Sequence, residues 1–239
     1  MRLWYRFCRA LAWIGFRLYF GGRVFGVEKV PRKGAVLLVC NHQSFLDPVL
    51  ATVALPRECH YMARDTLFKG GRFQKLIESL NAFPVKRGSA DVGAIKETLK
   101  RLKQGALITI FPEATRTEDG SVRPMQPGVV LIARKAGVPL IPTLILGAFE
   151  AWPKSAKKPR PARILVSYGE PLTPERAKTM SDEECINHLR NEIIAMMHRY
   201  REHPSMRGRL KPLPPPVAGA TSDAGEAEAS RPSPVRSAE

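Results

Sequence analysis

The sequence predicts an α/β fold, with a mixed, largely parallel sheet and helices on both of its faces. Three observations support this prediction. Short apolar runs recur along the chain, segments with helical periodicity separate them, and 239 residues are enough for one domain with a substantial core. Strands that alternate with helices are typical of a sheet that is covered on both faces.

Six apolar runs are predicted to form the strands. They span residues 35–40, 60–63, 83–85, 106–111, 140–146 and 164–168. Segments with apolar residues at helical spacing separate or follow them, at residues 71–80, 91–103, 127–137 and 181–202. Pro127 and Gly137 suit the first turn and the end of a helix, and Ser181 with Glu184 predicts a capping box at the start of the last helix.

The first twenty residues predict a separate amphipathic helix. Its four arginines fall within an arc of about 80°, and most of its bulky apolar side chains lie on the other side. Such a helix is suited to a membrane interface, although a helix that packs on the domain and exposes its arginines has a similar pattern. The longest apolar run, residues 11–16, is too short to span a bilayer, and the dispersed arginines are unlike those of a secretory signal.

These features divide the chain into three parts. Residues 1–24 are predicted to be the N-terminal amphipathic segment, residues 25–203 the α/β domain, and residues 204–239 a C-terminal tail. The tail is rich in Pro, Ala and Ser and lacks aromatic residues, which predicts that it is disordered.

The composition limits the partners and cofactors. The chain has 38 Lys and Arg against 22 Asp and Glu, a formal net charge of +16, so anionic partners are expected: a nucleic acid, a phosphorylated metabolite or an anionic membrane surface. The four cysteines form no CxxC pair and the five histidines no HExxH motif, so neither a disulfide framework nor a metal site is predicted. The cations are dispersed and no nucleic-acid reader motif occurs, which argues against a nucleic-acid partner.

Polar side chains follow three of the predicted strands. They are the segment 41–47, then Lys86 and Arg87, then Glu113, Thr115 and Arg116. Each cluster alone is also typical of a solvated loop. Ligands of open α/β sheets bind at the carboxyl ends of strands, so the three clusters together predict one crevice that holds a base and several cations.

His42 and Asp47 are the candidate catalytic pair. An imidazole can accept a proton near neutral pH, and a neighbouring carboxylate can hold it in the productive tautomer. The chain has no GxSxG motif, and Ser44 is interpreted as a polar loop residue rather than a nucleophile. A base without a nucleophile favours direct attack by a substrate hydroxyl on an activated electrophile such as a thioester.

Four short blocks resemble, in order, the motifs of the glycerolipid acyltransferases. They are Asn41-His42 with Asp47, then residues 83–87, 111–116 and 138–142. The similarity is greatest to the lysophosphatidic acid acyltransferase family (1-acyl-sn-glycerol-3-phosphate acyltransferases) and covers about residues 20–170. It depends on all four blocks occurring together. One departure is Ala114, where the family usually carries glycine.

The resemblance implies a reaction and its catalytic residues. His42 would deprotonate the sn-2 hydroxyl of lysophosphatidic acid, and Asp47 would orient the imidazole. The hydroxyl would then attack the thioester of acyl-CoA or of acyl-carrier protein, which serve as co-substrates, and no cofactor or metal is implied.

The resemblance also implies the binding residues and the location. Lys86, Arg87 and Arg116 would hold the acceptor phosphate, Glu113 and Thr115 would shape that block, and residues 138–142 would line the acyl-donor side. The family has an N-terminal helical element that docks on a membrane, which implies a peripheral or monotopic enzyme on the cytoplasmic face.

Alternatives remain at this point. The same chemistry could act on another lysolipid acceptor, and a basic nucleic-acid-binding module is the rival outside the enzymes. Residues 152–163 carry five cations and no acid. This segment is either a solvated loop or a contact for anionic headgroups or an acidic carrier protein.

Overall fold

The computed structural model describes residues 1–86 and 91–214. Its strands are β1 (Arg23–Phe25), β2 (Val36–Cys40), β3 (Cys59–Arg64), β4 (Ala82–Val85), β5 (Leu107–Ile110), β6 (Leu140–Leu146) and β7 (Leu165–Tyr168). Its helices are α1 (Leu3–Leu18), α2 (Asp47–Leu50), α3 (Gly71–Ser79), α4 (Val92–Lys103), α5 (Gly128–Ala136), α6 (Ala148–Ala151), α7 (Pro174–Lys178) and α8 (Asp182–Arg201). Short 3₁₀ turns lie at Val27–Lys29 and Asp65–Leu67.

The strands form one sheet in the order β1-β7-β6-β2-β5-β3-β4. Strands β2 to β6 run parallel to one another, β7 is antiparallel to β6, and β1 is parallel to β7. The predicted fold class, a mixed and largely parallel sheet, is therefore confirmed. The carboxyl ends of β2 to β6 share one edge of the sheet, which we call the carboxyl edge.

Both faces of the sheet are covered because its central strands are apolar on both sides. In β2, Val36, Leu38 and Cys40 pack in a core that includes residues of α1 and the α2 region. Leu37 and Val39 point to the other face, in a core closed by α4, α5 and α8. All five residues of β2 are fully buried, so the loop that follows β2 has a rigid base.

Most of the predicted elements are present. The capping box of α8 is formed, since the Ser181 N–H donates to Glu184 Oε2 (2.6 Å) and the Glu184 N–H to Ser181 Oγ (3.2 Å). Helix α5 ends before Gly137, which has a φ of 64°. Strand β1 and helices α2, α6 and α7 were not predicted, because three to five residues are too few to show a periodicity.

Two predicted boundaries are wrong in part. The boundary after residue 24 falls inside β1. The first residues of the predicted tail belong to the folded body, because Met206 is 1% exposed and packs in a core with Leu146 and Leu165. Leu210 and Leu213 pack against the same core, so apolar contacts hold this segment beyond Met206. Residues 215–239 lie outside the described part of the chain.

Helix α1 packs on the domain through two aromatic side chains. Phe16 is buried in the core, and the buried Tyr5 hydroxyl accepts the Cys59 N–H (3.1 Å). The predicted N-terminal helix is therefore docked on the body of the protein. Within the described residues, no helix is long and apolar enough to cross a bilayer.

Candidate active site

The predicted catalytic pair lies at the carboxyl edge. His42 follows β2, Asp47 opens α2, and their side chains meet with Nδ1 of His42 2.7 Å from Oδ2 of Asp47. Asp47 is fully buried and His42 is 8% exposed. A carboxylate on Nδ1 fixes the tautomer that carries its proton there, so Nε2 is left as the proton acceptor.

Asp47 Oδ2 also binds the backbone of the loop. It accepts the N–H groups of Gln43 (2.5 Å) and Ser44 (2.7 Å) in addition to the imidazole. Charge-assisted bonds of this kind are stronger than neutral ones. One carboxylate oxygen therefore holds both the imidazole and the backbone that follows it, which fixes the ring in one orientation. The ring of His42 stacks on Phe111, with centroids 4.4 Å apart.

Two amide side chains, whose role the sequence did not reveal, fix the same loop. The Asn41 amide bonds both backbone groups of Ile145 in β6, donating to the carbonyl (2.9 Å) and accepting the N–H (2.7 Å). Gln43 donates to the Gly120 carbonyl (2.9 Å) and accepts the Phe149 N–H (3.3 Å). The catalytic loop is thus bonded to its neighbours from two sides.

Helix α2 is also fixed from two sides. The Tyr168 hydroxyl donates to the Ala51 carbonyl (2.8 Å), and the Thr52 hydroxyl lies 2.6 Å from that of Tyr61. Tyr61 in turn lies 3.0 Å from the hydroxyl of Tyr5 in α1. These buried contacts hold the short helix that carries Asp47.

Glu113 supports the base from the loop after β5. Its Oε1 accepts the His42 N–H (2.9 Å), and its side chain is buried. The pKa of Glu113 is raised from 4.5 to about 8, mainly by burial and also by the nearby Asp47, against the lowering effect of the N–H bonds and of Arg123. The carboxyl group is therefore mostly neutral at pH 7. Its hydrogen bond holds the backbone of His42, and it adds little negative charge beside Asp47.

Ser44 is not placed to act as a nucleophile. Its hydroxyl is buried and donates to the Trp152 carbonyl (2.9 Å). This supports the interpretation of Ser44 as a structural residue of the loop. In the described ranges no three His, Cys, Asp or Glu side chains group in a way that could hold a metal ion.

Two of the predicted cations, Arg116 and Lys86, follow strands β5 and β4, which β3 separates in the sheet. Arg116 follows β5 and packs over the Phe45 ring, with its guanidinium carbon 3.4 Å from the centroid. Its Nη1 is buried and has no hydrogen-bond partner among the described residues. Thr115 is beside it in the same turn. Lys86 follows β4 and is exposed, and Arg87 lies outside the described residues.

Arg64 completes this row of cations, and sequence reasoning missed it. It ends β3, pairs in register with Val85, and so lies between the end of β5 and Lys86. Burial lowers the pKa of Arg116, the carboxylate of Asp47 raises it, and the positive charge of Arg64 lowers it. The guanidinium groups of Arg64 and Arg116 therefore interact electrostatically. The strand predicted from the sequence ends at residue 63. Only the strand order shows that Arg64 lies between the cation after β5 and the cation after β4.

Ala114 has a backbone conformation that suits glycine. Its φ is 58°, in the left-handed region, where an L-residue costs roughly 1–2 kcal/mol. The turn is closed by the Thr115 N–H, which donates to the Glu113 carbonyl (2.7 Å). The turn that positions Glu113 and Arg116 therefore stores strain in this chain.

Replacing Ala114 with glycine is expected to stabilise the protein. Relief of the strain should outweigh the greater freedom of an unfolded glycine, for a net gain of about 0.5–1 kcal/mol. Chemical denaturation of the wild type and Ala114→Gly measures this difference. Gly128→Ala, in the regular first turn of α5, is the control for the intrinsic difference between the two residues. An Ala114→Gly variant no more stable than the wild type would contradict the assignment of strain.

Fold and site together define an α/β protein with a buried His–Asp pair at the carboxyl edge of its sheet, an arrangement typical of enzymes. Comparisons with known proteins agree with this class. The Acyltransferase family model matches residues 22–146, and the chain belongs to that family. It is an enzyme that transfers acyl groups.

Individual relatives show which acyltransferases the chain is similar to. The chain is 29% identical over 198 residues to the 1-acyl-sn-glycerol-3-phosphate acyltransferase of Bacillus subtilis, covering 79% of this chain and 96% of that protein. It is 30% identical over 163 residues to a protein of the same name from Cocos nucifera, covering 67% of this chain and 52% of the plant protein. The crystal structure of the 1-acyl-sn-glycerophosphate (LPA) acyltransferase of Thermotoga maritima superposes with a TM-score of 0.69 at 25% identity, covering 83% of this chain and 81% of that one.

Proposed function

We propose that this enzyme transfers an acyl chain from a thioester to the sn-2 hydroxyl of lysophosphatidic acid, which yields phosphatidic acid. The observation that carries the proposal is the His42–Asp47 pair beside a row of cations at adjacent strand ends. A lysophospholipid whose phosphate is a free monoester supplies both the hydroxyl and the anion that this arrangement requires. The names of the relatives point to the same acceptor.

In the proposed reaction His42 acts as a general base and then as a general acid. Its Nε2 takes the proton of the acceptor hydroxyl as the oxygen attacks the thioester carbonyl. The carbon–sulfur bond then breaks, and the leaving thiolate takes the proton from the imidazole. Asp47 stabilises the imidazolium that exists between the two transfers. No cofactor takes part, and the donor is acyl-CoA or acyl-carrier protein.

The acceptor phosphate is assigned to the row of cations. Arg64 ends β3, Lys86 follows β4 and Arg116 lies in the loop after β5, and none of the three forms an ion pair with a described carboxylate. Arg87 is assigned to the same role from the sequence motif alone. Guanidinium groups match the oxygens of a phosphate in a bidentate manner, which suits a monoester dianion.

Acceptor preference tests this assignment. We expect Arg116→Met to raise the KM for lysophosphatidic acid by about tenfold or more, since a charge-assisted hydrogen bond is removed. The KM for monoacylglycerol, which has no phosphate, should change little. Arg72→Met, which removes an exposed arginine of α3, is the control. An unchanged KM for lysophosphatidic acid would reject the role of Arg116, and a wild type that prefers another lysolipid would replace the acceptor.

We further propose that α1 docks on the cytoplasmic face of a membrane. Leu3, Trp4, Phe7, Leu11, Ile14 and Leu18 fall within an arc of about 100° of the helix, and each is 48–82% exposed. Tyr5 and Phe16 point the opposite way, into the domain. An apolar stripe that faces solvent, next to arginines, is typical of a helix that lies in a membrane interface.

Charged substitutions in the stripe should weaken membrane binding. We expect Leu11→Glu with Ile14→Glu to reduce sedimentation with anionic vesicles by at least about tenfold. Burying these two apolar side chains in the membrane interface should contribute roughly 3 kcal/mol to the free energy of binding. The matched control is Val92→Glu with Leu131→Glu, which adds the same charge at exposed apolar positions of α4 and α5. Equal binding by both double variants would contradict the docking role of α1.

A further inference from the structure

A basic groove of about 440 Å³ lies apart from the catalytic pair, between two distant segments of the chain, 150–163 and 208–211. Arg160, Arg163, Arg209 and Lys211 line it. Of the described residues that line the groove, Glu150 is the one with an acidic side chain. The groove therefore has an excess of positive charge.

The walls of the groove are fixed before any ligand binds. The Lys211 N–H donates to Glu150 Oε1 (2.9 Å), which joins the two segments directly. The Arg160 N–H donates to the Ala151 carbonyl (2.9 Å), and Arg163 donates to the Gly21 carbonyl (3.3 Å). The single negative charge of Glu150 does not offset the four cations.

The positive charges in one groove repel each other, and a bound anion offsets this repulsion. Arginine and lysine side chains at such positions are suited to phosphate groups. The volume is within the range of sites for small molecules, which is roughly 300–1,000 Å³. The chemistry of the groove therefore fits a small ligand that carries several phosphates.

The groove adjoins the catalytic loop through α6. Phe149 and Trp152, which flank Glu150 and Ala151, bond the loop at Gln43 and Ser44. The Trp152 ring also packs on Phe45, with centroids 5.2 Å apart. The groove and the loop that carries His42 therefore share α6 as a common wall.

We infer that this groove binds the phosphates at the nucleotide end of a coenzyme A thioester, while the pantetheine arm extends over α6 to His42. Coenzyme A carries a diphosphate and a 3′-phosphate, which supply negative charges for the four cations. The choice of ligand rests on the proposed function, because the acyl transfer requires a thioester donor. The groove is separate from the row of cations assigned to the acceptor.

Calorimetry on the full chain with adenosine 3′,5′-bisphosphate, which carries the 3′-phosphate and one of the two 5′-phosphates of coenzyme A, tests the inference. The variant is Arg209→Met with Lys211→Met. Only the backbone groups of these two residues take part in the hydrogen bonds that hold the walls. We expect its Kd to rise by about tenfold for each charge-assisted hydrogen bond that the substitutions remove. Lys96→Met with Lys103→Met, which removes the same charge from the exposed side of α4, should bind as the wild type does.

Kinetics separate this inference from its rivals. The groove variant should raise the KM for acyl-CoA and leave kcat and the KM for lysophosphatidic acid within about twofold of the wild type. A loss of vesicle binding with an unchanged KM for acyl-CoA would assign the groove to lipid headgroups and overturn the inference. A groove variant whose KM rises for acyl-carrier protein thioesters but not for acyl-CoA would also overturn the inference. A wild type that binds the bisphosphate and yet acylates no lysolipid would refute the proposed function and not the phosphate site.

Discussion

Replacing His42 with alanine is expected to lower kcat by about 10²–10⁴-fold, the contribution typical of a positioned general base. The imidazole of His42 contacts the carboxylate of Asp47, and of the two side chains only the imidazole is partly exposed to solvent. The fold should survive, because Asp47 still accepts the N–H groups of Gln43 and Ser44. Steady-state rates at saturating donor and acceptor, beside thermal melts of both proteins, measure the two effects separately.

His198→Ala is the matched control for this experiment. His198 is exposed on α8, on the opposite face of the sheet from α1, and should be dispensable for turnover. A His42→Ala variant that keeps more than about a tenth of the wild-type kcat would reject the role of His42 as the base. A loss of kcat accompanied by a collapsed melting transition would instead show that the side chain is structural.

Replacing Asp47 with asparagine should reduce kcat by about 10³–10⁴-fold, although the shape of the side chain is kept. An amide can still accept the two backbone N–H groups through its oxygen. Because Oδ2 of Asp47 accepts the Nδ1–H of His42 together with these two N–H groups, an amide oxygen in its place keeps the same contacts. The neutral amide nevertheless removes the negative charge beside the imidazolium, which then loses its counter-charge in the transition state.

The comparison with Asp119→Asn isolates this effect. Asp119 lies in a turn where its carboxylate accepts the Ser121 N–H (2.9 Å), so the same chemical change should alter kcat little. The KM for both substrates should change less than kcat in Asp47→Asn, because the carboxylate acts on the transition state. A kcat within about tenfold of the wild type would show that the charge of Asp47 does not stabilise the imidazolium.

Local features of the sequence were sufficient for six of the seven strands and for the contact between His42 and Asp47. The buried run of β2 and the five-residue spacing of His42 and Asp47 can both be read without the rest of the fold. Lys86 and Arg116 both follow parallel strands and lie at the carboxyl edge, and a single crevice lined by them stays a prediction. The capping box of α8 was predictable for the same reason, since its two partners are three residues apart.

Features that depend on strand order were beyond sequence reasoning. Arg64 joins the cations because β3 lies between β5 and β4, and no local pattern specifies that order. The raised pKa of Glu113 arises from burial by residues distant in the sequence. The Asn41 amide binds Ile145, more than a hundred residues further along the chain. The positive φ of Ala114 was suggested only by the glycine usual in the related motif.

The most direct test of the proposed reaction is its stoichiometry when the purified wild type acts on acyl-CoA and lysophosphatidic acid. Thiol release and phosphatidic acid formation would be followed in the same sample. We predict that one phosphatidic acid forms for each thiol released, and that neither product appears when the acceptor is omitted. Thiol release that continues without an acceptor, or that leaves lysophosphatidic acid unchanged, would contradict the proposal, because the base would then activate water in place of the lipid hydroxyl.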